Sequence, residues 1–220
     1  MKIKETIAII GATGNMGSAI ARNLAKDNYR LILMSRHAEE LIELKNSLST
    51  VNANALIDTN DCVRDVSWEA DIIILACPYE AEKDIAEKIR EVATGKIVIS
   101  ISNPLNANYD DLVTPSDTSA AEELQKLLPN SKVVKAFNTT FAADFTAPII
   151  DGQISDAFIA ANNGIALETV SNIVAAAGFN PVVAGDLSVS RTLERMLLKQ
   201  IEIGVRNRYD WLAGWKILHN

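Results

Sequence analysis

Gly11, Gly14 and Gly17 recur at three-residue intervals in the stretch "IAIIGATGNMGSAIARNLAKD", between an apolar run and a segment of helical period. This spacing can turn main chain into an anion site. Gly11 permits a tight turn, Gly14 lets backbone amides approach a pyrophosphate, and Gly17 lets helix and strand pack closely. The helix mouth adds free N–H donors and the positive end of its dipole. A glycine-rich turn without a ligand is the plainer alternative, but the strand–loop–helix context favours a dinucleotide.

A second group lies where a second strand should end, in "LILMSRH". NAD sites usually place an acid there to accept from the ribose hydroxyls. This chain has Ser35 and Arg36 instead. A hydroxyl beside a guanidinium suits a 2′-phosphate, and Arg36 can also stack on adenine. A charged hydrogen bond of roughly 1.5–3 kcal/mol is one to two decades of preference for NADP. The alternative is a surface arginine that merely ends a strand.

These groups need a scaffold. Apolar runs predict strands over Thr6–Ile10, Arg30–Met34, Ala55–Asp58, Asp71–Ala76, Lys96–Ile101, Lys132–Lys135, Ala157–Ala161 and Pro181–Ala184. Unbroken runs such as "DIIILA" and "KIVISI" fit strands buried on both faces of a parallel sheet. Helical period predicts helices over Met16–Lys26, Ala38–Leu48, Pro78–Val92, Ala120–Leu128 and Gly164–Ala177, and one long terminal helix over Ser188–Leu218. The alternation gives an α/β fold, a doubly wound, mostly parallel sheet with a long C-terminal helix. One domain is expected over 1–220, with the α/β core in 1–186 and the terminal helix in 187–220. The loop Ser102–Ser119 follows a strand end, where ligands bind in such folds.

Composition narrows the partners. With 220 residues, 48% hydrophobic and 22% charged, the chain reads as an ordinary globular protein. A net charge of −7 argues against nucleic acid. No apolar run has the length of a membrane span, and "MKIKETIAII" reads as a lead into the first strand, not a signal peptide. Cys62, Cys77, His37 and His219 form no metal-ligand spacing, so no metal is expected. A reducing, cytoplasmic location is the default expectation. Trp211, Leu212, Trp215 and Ile217 give the terminal helix an apolar surface that predicts a homodimer.

Taken together, "GATGNMG", the Ser-Arg pair, "ACPYEA", "SISNPLN", "SAAEELQKLLP" and "VVKAFNTTFA" resemble the coenzyme F420-dependent NADP reductase family. The blocks follow family order from residue 7 to about 145, and "AGDLSVSRTLE" extends the likeness to Glu194. A related arrangement occurs in the oxidoreductase domain of animal six-transmembrane metalloreductases. The resemblance implies a Rossmann fold that carries NADP across the strand ends. It assigns Thr13, Gly14, Asn15 and Met16 to the phosphates and Ser35 and Arg36 to the adenosine phosphate. Cys77 and Pro78, then Ser102, Asn103 and Pro104, then Ala136, Asn138 and Thr139 fall at the nicotinamide half. Members often carry another base after Ser-Arg; here His37, Glu39 and Glu40 follow.

Hydride transfer between a nicotinamide and a planar small-molecule redox acceptor needs stacked rings at about 3–3.5 Å, and no catalytic acid or base. No catalytic residue is therefore expected. Candidate walls are Cys77, Pro78, Asn103, Phe137, Asn138 and Phe141. Cys77 is either a packed strand-end residue or a redox group. Asn103 and Asn138 either bond the carboxamide or cap loops. Arg191 either meets an anionic substrate tail or pairs with Glu194 or Glu202. Tyr79 and Lys83 mimic a short-chain dehydrogenase pair, but they start the helix directly after strand four, which is the wrong place for one. The expected function is an NADP(H)-dependent oxidoreductase acting on coenzyme F420 or a flavin. The alternatives are an NADP-binding sensor without turnover and a flavin-mediated reductase of another small substrate or ferric chelate.

Overall fold

The computed structural model describes residues 4–209 and 211–219. In chain order the elements are β1 (Thr6–Ile10), α1 (Asn15–Leu24), β2 (Arg30–Met34), α2 (Ala38–Val51), β3 (Leu56–Asn60), α3 (Val63–Glu69), β4 (Ile72–Leu75), α4 (Tyr79–Ile89), β5 (Ile97–Ser100), α5 (Ala120–Leu127) and β6 (Lys132–Lys135). A 3-10 turn over Ala142–Phe145 and a small hairpin, β7 (Ile149–Ile150) and β8 (Gln153–Ile154), lead into β9 (Asp156–Ala161). Then come α6 (Gly164–Ala176), β10 (Asn180–Gly185) and α7 (Ser190–Asn207).

The main sheet runs in the order β10-β9-β6-β5-β4-β1-β2-β3. From β3 to β6 it is parallel throughout; β9 pairs antiparallel with β6 and parallel with β10. The core strands are apolar on both faces because both faces are covered. Ile7 and Ile9 of β1 and Ile72 and Ile74 of β4 point to the layer of α1, α2 and α6. Ala8, Ile10, Ile73 and Leu75 point to the layer of α3, α4 and α5. Chain order reverses between β1 and β4, and the crevice beyond their carboxyl ends is where such a sheet takes its ligand.

Three expectations are corrected. A helix, α3, fills the connection between β3 and β4, where the sequence pattern predicts none. It is one short, polar segment of seven residues that buries only Val66 and Ser67, too little for a periodic signal. The hairpin β7–β8 is likewise unpredicted. The terminal helix stops well before Leu218, at Asn207. Gly204 does not break it. Arg208 takes the left-handed conformation (φ 61°), and the Tyr209 amide donates to the Gly204 carbonyl at 3.0 Å, closing the helix.

Beyond α7 the chain turns back as an extended strap. Trp215 bridges to Asp156 at the start of β9. The buried Asp156 carboxylate accepts from the Ile217 amide (2.6 Å), Asn180 Nδ2 (2.7 Å) and Lys216 Nζ (2.9 Å). Gln200 on α7 donates to the Ala213 carbonyl and accepts from Trp215 Nε1 at 2.7 Å. Trp215 thus joins the small cluster of Phe158, Ala160 and Leu193. Trp211, Leu212 and Ile217 remain exposed.

Asp156→Ala leaves a lysine, an amide N–H and an asparagine without their shared acceptor. Urea unfolding of this variant should show a loss of about 2–3 kcal/mol, with tryptophan emission shifted to the red in the native baseline as Trp215 is released.

Candidate functional site

At the crossover between β1 and β4 the backbone comes together more closely than any side chain allows. Gly11 sits at φ +83°, and a Cβ there would lie 2.2 Å from the Ala76 carbonyl oxygen. A Cβ on Gly17 would lie 2.3 Å from the Gly11 oxygen and 2.9 Å from Ala12 Cα. Both positions therefore require glycine. The Gly11 and Ala12 amides turn to the Met34 carbonyl of β2, at 2.9 and 3.0 Å. Gly14 is exposed and N-caps α1 without a side-chain bond, and the first turn of α1 carries no acid. The Ser18 amide makes the first bond back along the helix, to the Gly14 carbonyl at 2.9 Å. The amides of Asn15, Met16 and Gly17 precede it without a partner in the helix; Asn15 is exposed and Met16 half-buried, while Gly17 is buried against the loop. Narrow glycine walls, free amides and a positive helix end fit a diphosphate.

Next to this cradle, Ser35 is buried at the end of β2. Its Oγ lies 2.8 Å from Thr13 Oγ1 and accepts from the His37 amide at 3.2 Å. Ser35 therefore ties the glycine loop to β2. Arg36 is exposed and takes part in no ion pair among the described residues. Glu39 and Glu40 occupy the first turn of α2, where the helix dipole favours carboxylates.

The residues expected at the other half do gather at strand ends, but in unequal roles. Cys77 follows β4 half-buried; burial, with Glu82 nearby, pushes its thiol up to about 12. It stays protonated near neutral pH and serves as packing. Pro78 is exposed and caps α4. Ser102 after β5 is buried and donates to Glu82 Oε1 at 2.8 Å. Asn103 and Asn138 bond each other: Asn103 Nδ2 donates to the Asn138 carbonyl (3.1 Å), and Asn138 Nδ2 donates to Asn103 Oδ1 (2.9 Å) and to the Leu193 carbonyl (3.0 Å). The pair ties β5, β6 and α7 together. Asn138 Oδ1 and Thr139 Oγ1 are buried without a partner, two polar atoms left beside the cleft. Pro104 and Ala136 are buried walls.

Of the residues expected to bind the cofactor, Asn15, Met16, Asn103 and Asn138 line a cleft of about 440 Å³, while Cys77, Pro78, Ser102, Pro104, Ala136 and Thr139 lie outside its lining. Asn15 and Met16 line it at the mouth of α1, Asn103, Phe137 and Asn138 at the strand ends, Leu197 and Ile201 on α7, and Phe141, Tyr109 and Trp211 at its rim. Its lining holds no carboxylate, imidazole, thiol or amine.

A buried charge network under the cleft is absent from the sequence reading. Lys135 and Glu194 are fully buried and paired at 2.7 Å. Lys135 Nζ also donates to the Ser102 carbonyl at 2.5 Å, and the Ala120 amide donates to Glu194 Oε2 at 3.1 Å. Glu82 completes the network through Ser100 and Ser102; burial pushes its carboxyl up to about 7, against the pull of Lys135. The network joins α4, β5, β6, α5 and α7 beneath the residues that face the cleft. The one signal for it was a lysine closing the apolar run "KVVK". Two further readings are settled. Arg191 pairs with Glu122 of α5, at 2.6 and 2.8 Å, and not with Glu194 or Glu202. Glu194 points inward to Lys135, while Glu202 meets Lys199 and Arg206. Tyr79 Oη donates to Glu123 at 2.5 Å, and burial with that carboxylate holds its pKa far above the usual phenol value, so it is no catalytic partner for Lys83.

Fold and site define a Rossmann-type protein whose parallel sheet, at its crossover, offers a dinucleotide cradle opening into an apolar cleft. Residues 6–104 match the family described as NADP oxidoreductase, coenzyme F420-dependent. The chain is 31% identical to the F420-dependent NADP reductase of Methanocaldococcus jannaschii over 92% of this chain and 93% of that protein. It is 27% identical to human metalloreductase STEAP2 over 89% of this chain, but that match covers 36% of STEAP2. A crystal structure of a putative F420-dependent NADP reductase from Arthrobacter superposes with a TM-score of 0.81 at 23% identity, covering 97% of this chain and 99% of that one, which shows the shared fold. The chain belongs to the F420-dependent NADP reductase family. It is an NADP-dependent oxidoreductase.

Because Glu82 binds its proton more tightly folded (about 7) than unfolded (about 4.5), the folded state loses stability as pH rises from 4.5 through 7. Glu82→Gln should remove that loss. Its melting temperature should exceed that of the wild type at pH 8, by the equivalent of roughly 2–3 kcal/mol, and the difference should vanish towards pH 5.

Proposed function

We propose that the chain passes a hydride between NADP(H) and a planar acceptor ring, either coenzyme F420 or a flavin. The observation that carries this reading is the continuity of the site. The free amides at the mouth of α1 border the same cleft as Asn103, Phe137 and Asn138 at the ends of β5 and β6. In this reading the amides of Asn15, Met16 and Gly17, with Gly11, Thr13 and Gly14, hold the diphosphate. Ser35 positions Thr13, and Arg36 pairs with the 2′-phosphate. Cys77, Pro78, Ser102, Asn103, Pro104, Ala136, Asn138 and Thr139 frame the nicotinamide, with the unpartnered Asn138 Oδ1 available to accept from its carboxamide. Bound NADPH supplies a hydride, and the acceptor takes it together with a proton from solvent. The chain's own contribution is to fix two rings face to face and keep water from between them. A cleft lined by no carboxylate, imidazole, thiol or amine suits that task, since no proton has to be held in place by a side chain.

The likeness to F420-dependent NADP reductases of methanogens supports coenzyme F420 as acceptor. The likeness to metalloreductases supports the variant in which the electrons pass on to a metal, for which flavin-mediated reduction of a ferric chelate is the test case. No helix among the described residues is long and apolar enough to cross a membrane, and both cysteines are free, which supports a reducing, cytoplasmic setting. Leu212 and Ile217, exposed on the strap, support association with a second copy. Light scattering at micromolar concentration should give twice the chain mass, and a monomer would count against it.

The deciding assay follows NADPH oxidation with coenzyme F420, FMN, FAD and ferric chelates offered separately and ferric chelate offered with FMN. Turnover with a free ring alone supports direct transfer. Chelate reduction that needs FMN supports the relay. Tight NADP binding with no turnover overturns the proposal. Arg36→Asp should reduce the ratio of NADP to NAD affinity at least about tenfold, measured by calorimetry; equal dissociation constants before and after would remove Arg36 from the site.

A further inference from the structure

The rim of the cleft is unusual in its backbone. Five non-glycine residues among those described have positive φ, and three of them are aromatic: Tyr109 (59°), Phe137 (59°) and Trp211 (60°). All three line the cleft described above. Left-handed backbone is strained for bulky side chains and persists only where surrounding structure enforces it. Phe137 is fully buried at the floor and packs on Phe145, so its conformation serves the core as well. Tyr109 and Trp211 have no such reason. They are 60% and 57% exposed, two large rings left in water while lining one cleft. They also come from different segments, the loop after β5 and the strap after α7.

Neither segment is loosely placed. The Tyr109 loop is closed by bonds from the Tyr109 amide to the Asn106 carbonyl (3.1 Å) and from the Asn106 amide to the Asp111 carbonyl (2.9 Å). The strap is held to α7 on the far side of Trp211 by Gln200 and to β9 by Asp156. Phe141 packs against the Trp211 ring in a T-shaped pair, with centroids 5.4 Å apart and planes at 83°, which helps to fix the indole at the rim. Two fixed, solvated rings above a cleft without charged lining favour a flat, aromatic occupant held by apolar and π contact.

We propose that Tyr109 and Trp211 form an aromatic clamp for the acceptor ring, and that Trp211 sets the affinity for that ring. This rests on the hydride-transfer reading above. The clamp acts on the acceptor alone, because the diphosphate cradle lies on α1 and shares no residue with the strap.

The test uses full-length protein with saturating NADPH and two rings, FMN and 5-deazariboflavin. Trp211→Ala should raise KM for both rings at least fivefold, with kcat and the NADP dissociation constant within twofold of wild type. Trp211→Phe should restore KM to within twofold. Tyr109→Ala, which leaves the strap intact, should raise KM at least threefold and keeps the test alive if Trp211→Ala fails to fold. Unchanged KM in both alanine variants, with wild-type turnover intact, overturns the clamp and leaves the proposed function standing. Unchanged KM with loss of a dimer in Trp211→Ala assigns the rings to a contact between copies and also overturns it. Wild-type protein that turns over neither ring overturns the clamp; if coenzyme F420, FAD and ferric chelates fail as well, the hydride-transfer reading falls with it.

Discussion

The site depends on the absence of two Cβ atoms. At Gly11 and Gly17 the first loop is pressed against Ala76 on one side and against its own helix on the other, closer than any side chain permits. This contact puts the start of α1 at the crossover between β1 and β4, with its amides pointing out of the sheet. An anion site made this way needs no charged residue, which is how an acidic chain of net charge −7 can offer a cradle for a diphosphate. It also fixes where everything else must be. In the proposed function a dinucleotide anchored at that helix mouth would extend along the carboxyl edge of the sheet, towards the ends of β4, β5 and β6.

Those strand ends are held by polar groups that the fold buries at a cost. Lys135, Glu194 and Glu82 place charge under the cleft, and each is retained only because it is paired or hydrogen-bonded. Their partners are revealing. Lys135 bonds the Ser102 carbonyl, and Glu82 bonds the Ser102 hydroxyl, so both fix the residue directly before Asn103. Asn103 and Asn138 then lock β5 to β6, and Asn138 reaches on to α7. An apolar core could be as stable, but it would allow these loops to slide. Here Lys135 and Glu82 both bond Ser102, so the loop after β5 is tied to α4 and β6 at a single residue.

How much of this could be read from sequence follows from the kind of constraint involved. The glycine loop was legible because a positive φ and a close approach restrict residue type at fixed spacing. Double-sided burial made the strands legible, since it leaves unbroken apolar runs with sharp edges. Ser35 and Arg36 were found because the glycines set the distance to the end of β2. By contrast, α3 was missed because one short polar turn buries almost nothing. The strap reads as helix because its apolar residues continue the period of α7, whereas the left-handed Arg208 ends that helix. The Lys135–Glu194 pair joins residues far apart in the chain, and nothing local marks either as buried. Asn103 and Asn138 were identified as strand-end residues, but sequence could not show that they bond each other.

The protein thus divides its labour between two kinds of surface. Where charge must be bound, it uses main chain, held rigid by glycine and by strand contacts. Where the cleft opens, it uses neutral side chains on a charged but buried foundation, with no carboxylate, imidazole, thiol or amine in the lining. A general acid or base in that space would add a solvated group between two stacked rings and would separate them. Differences in acceptor among relatives of this fold should accordingly reside in the rim, where the loop after β5 and the strap after α7 can vary without disturbing the cradle on α1.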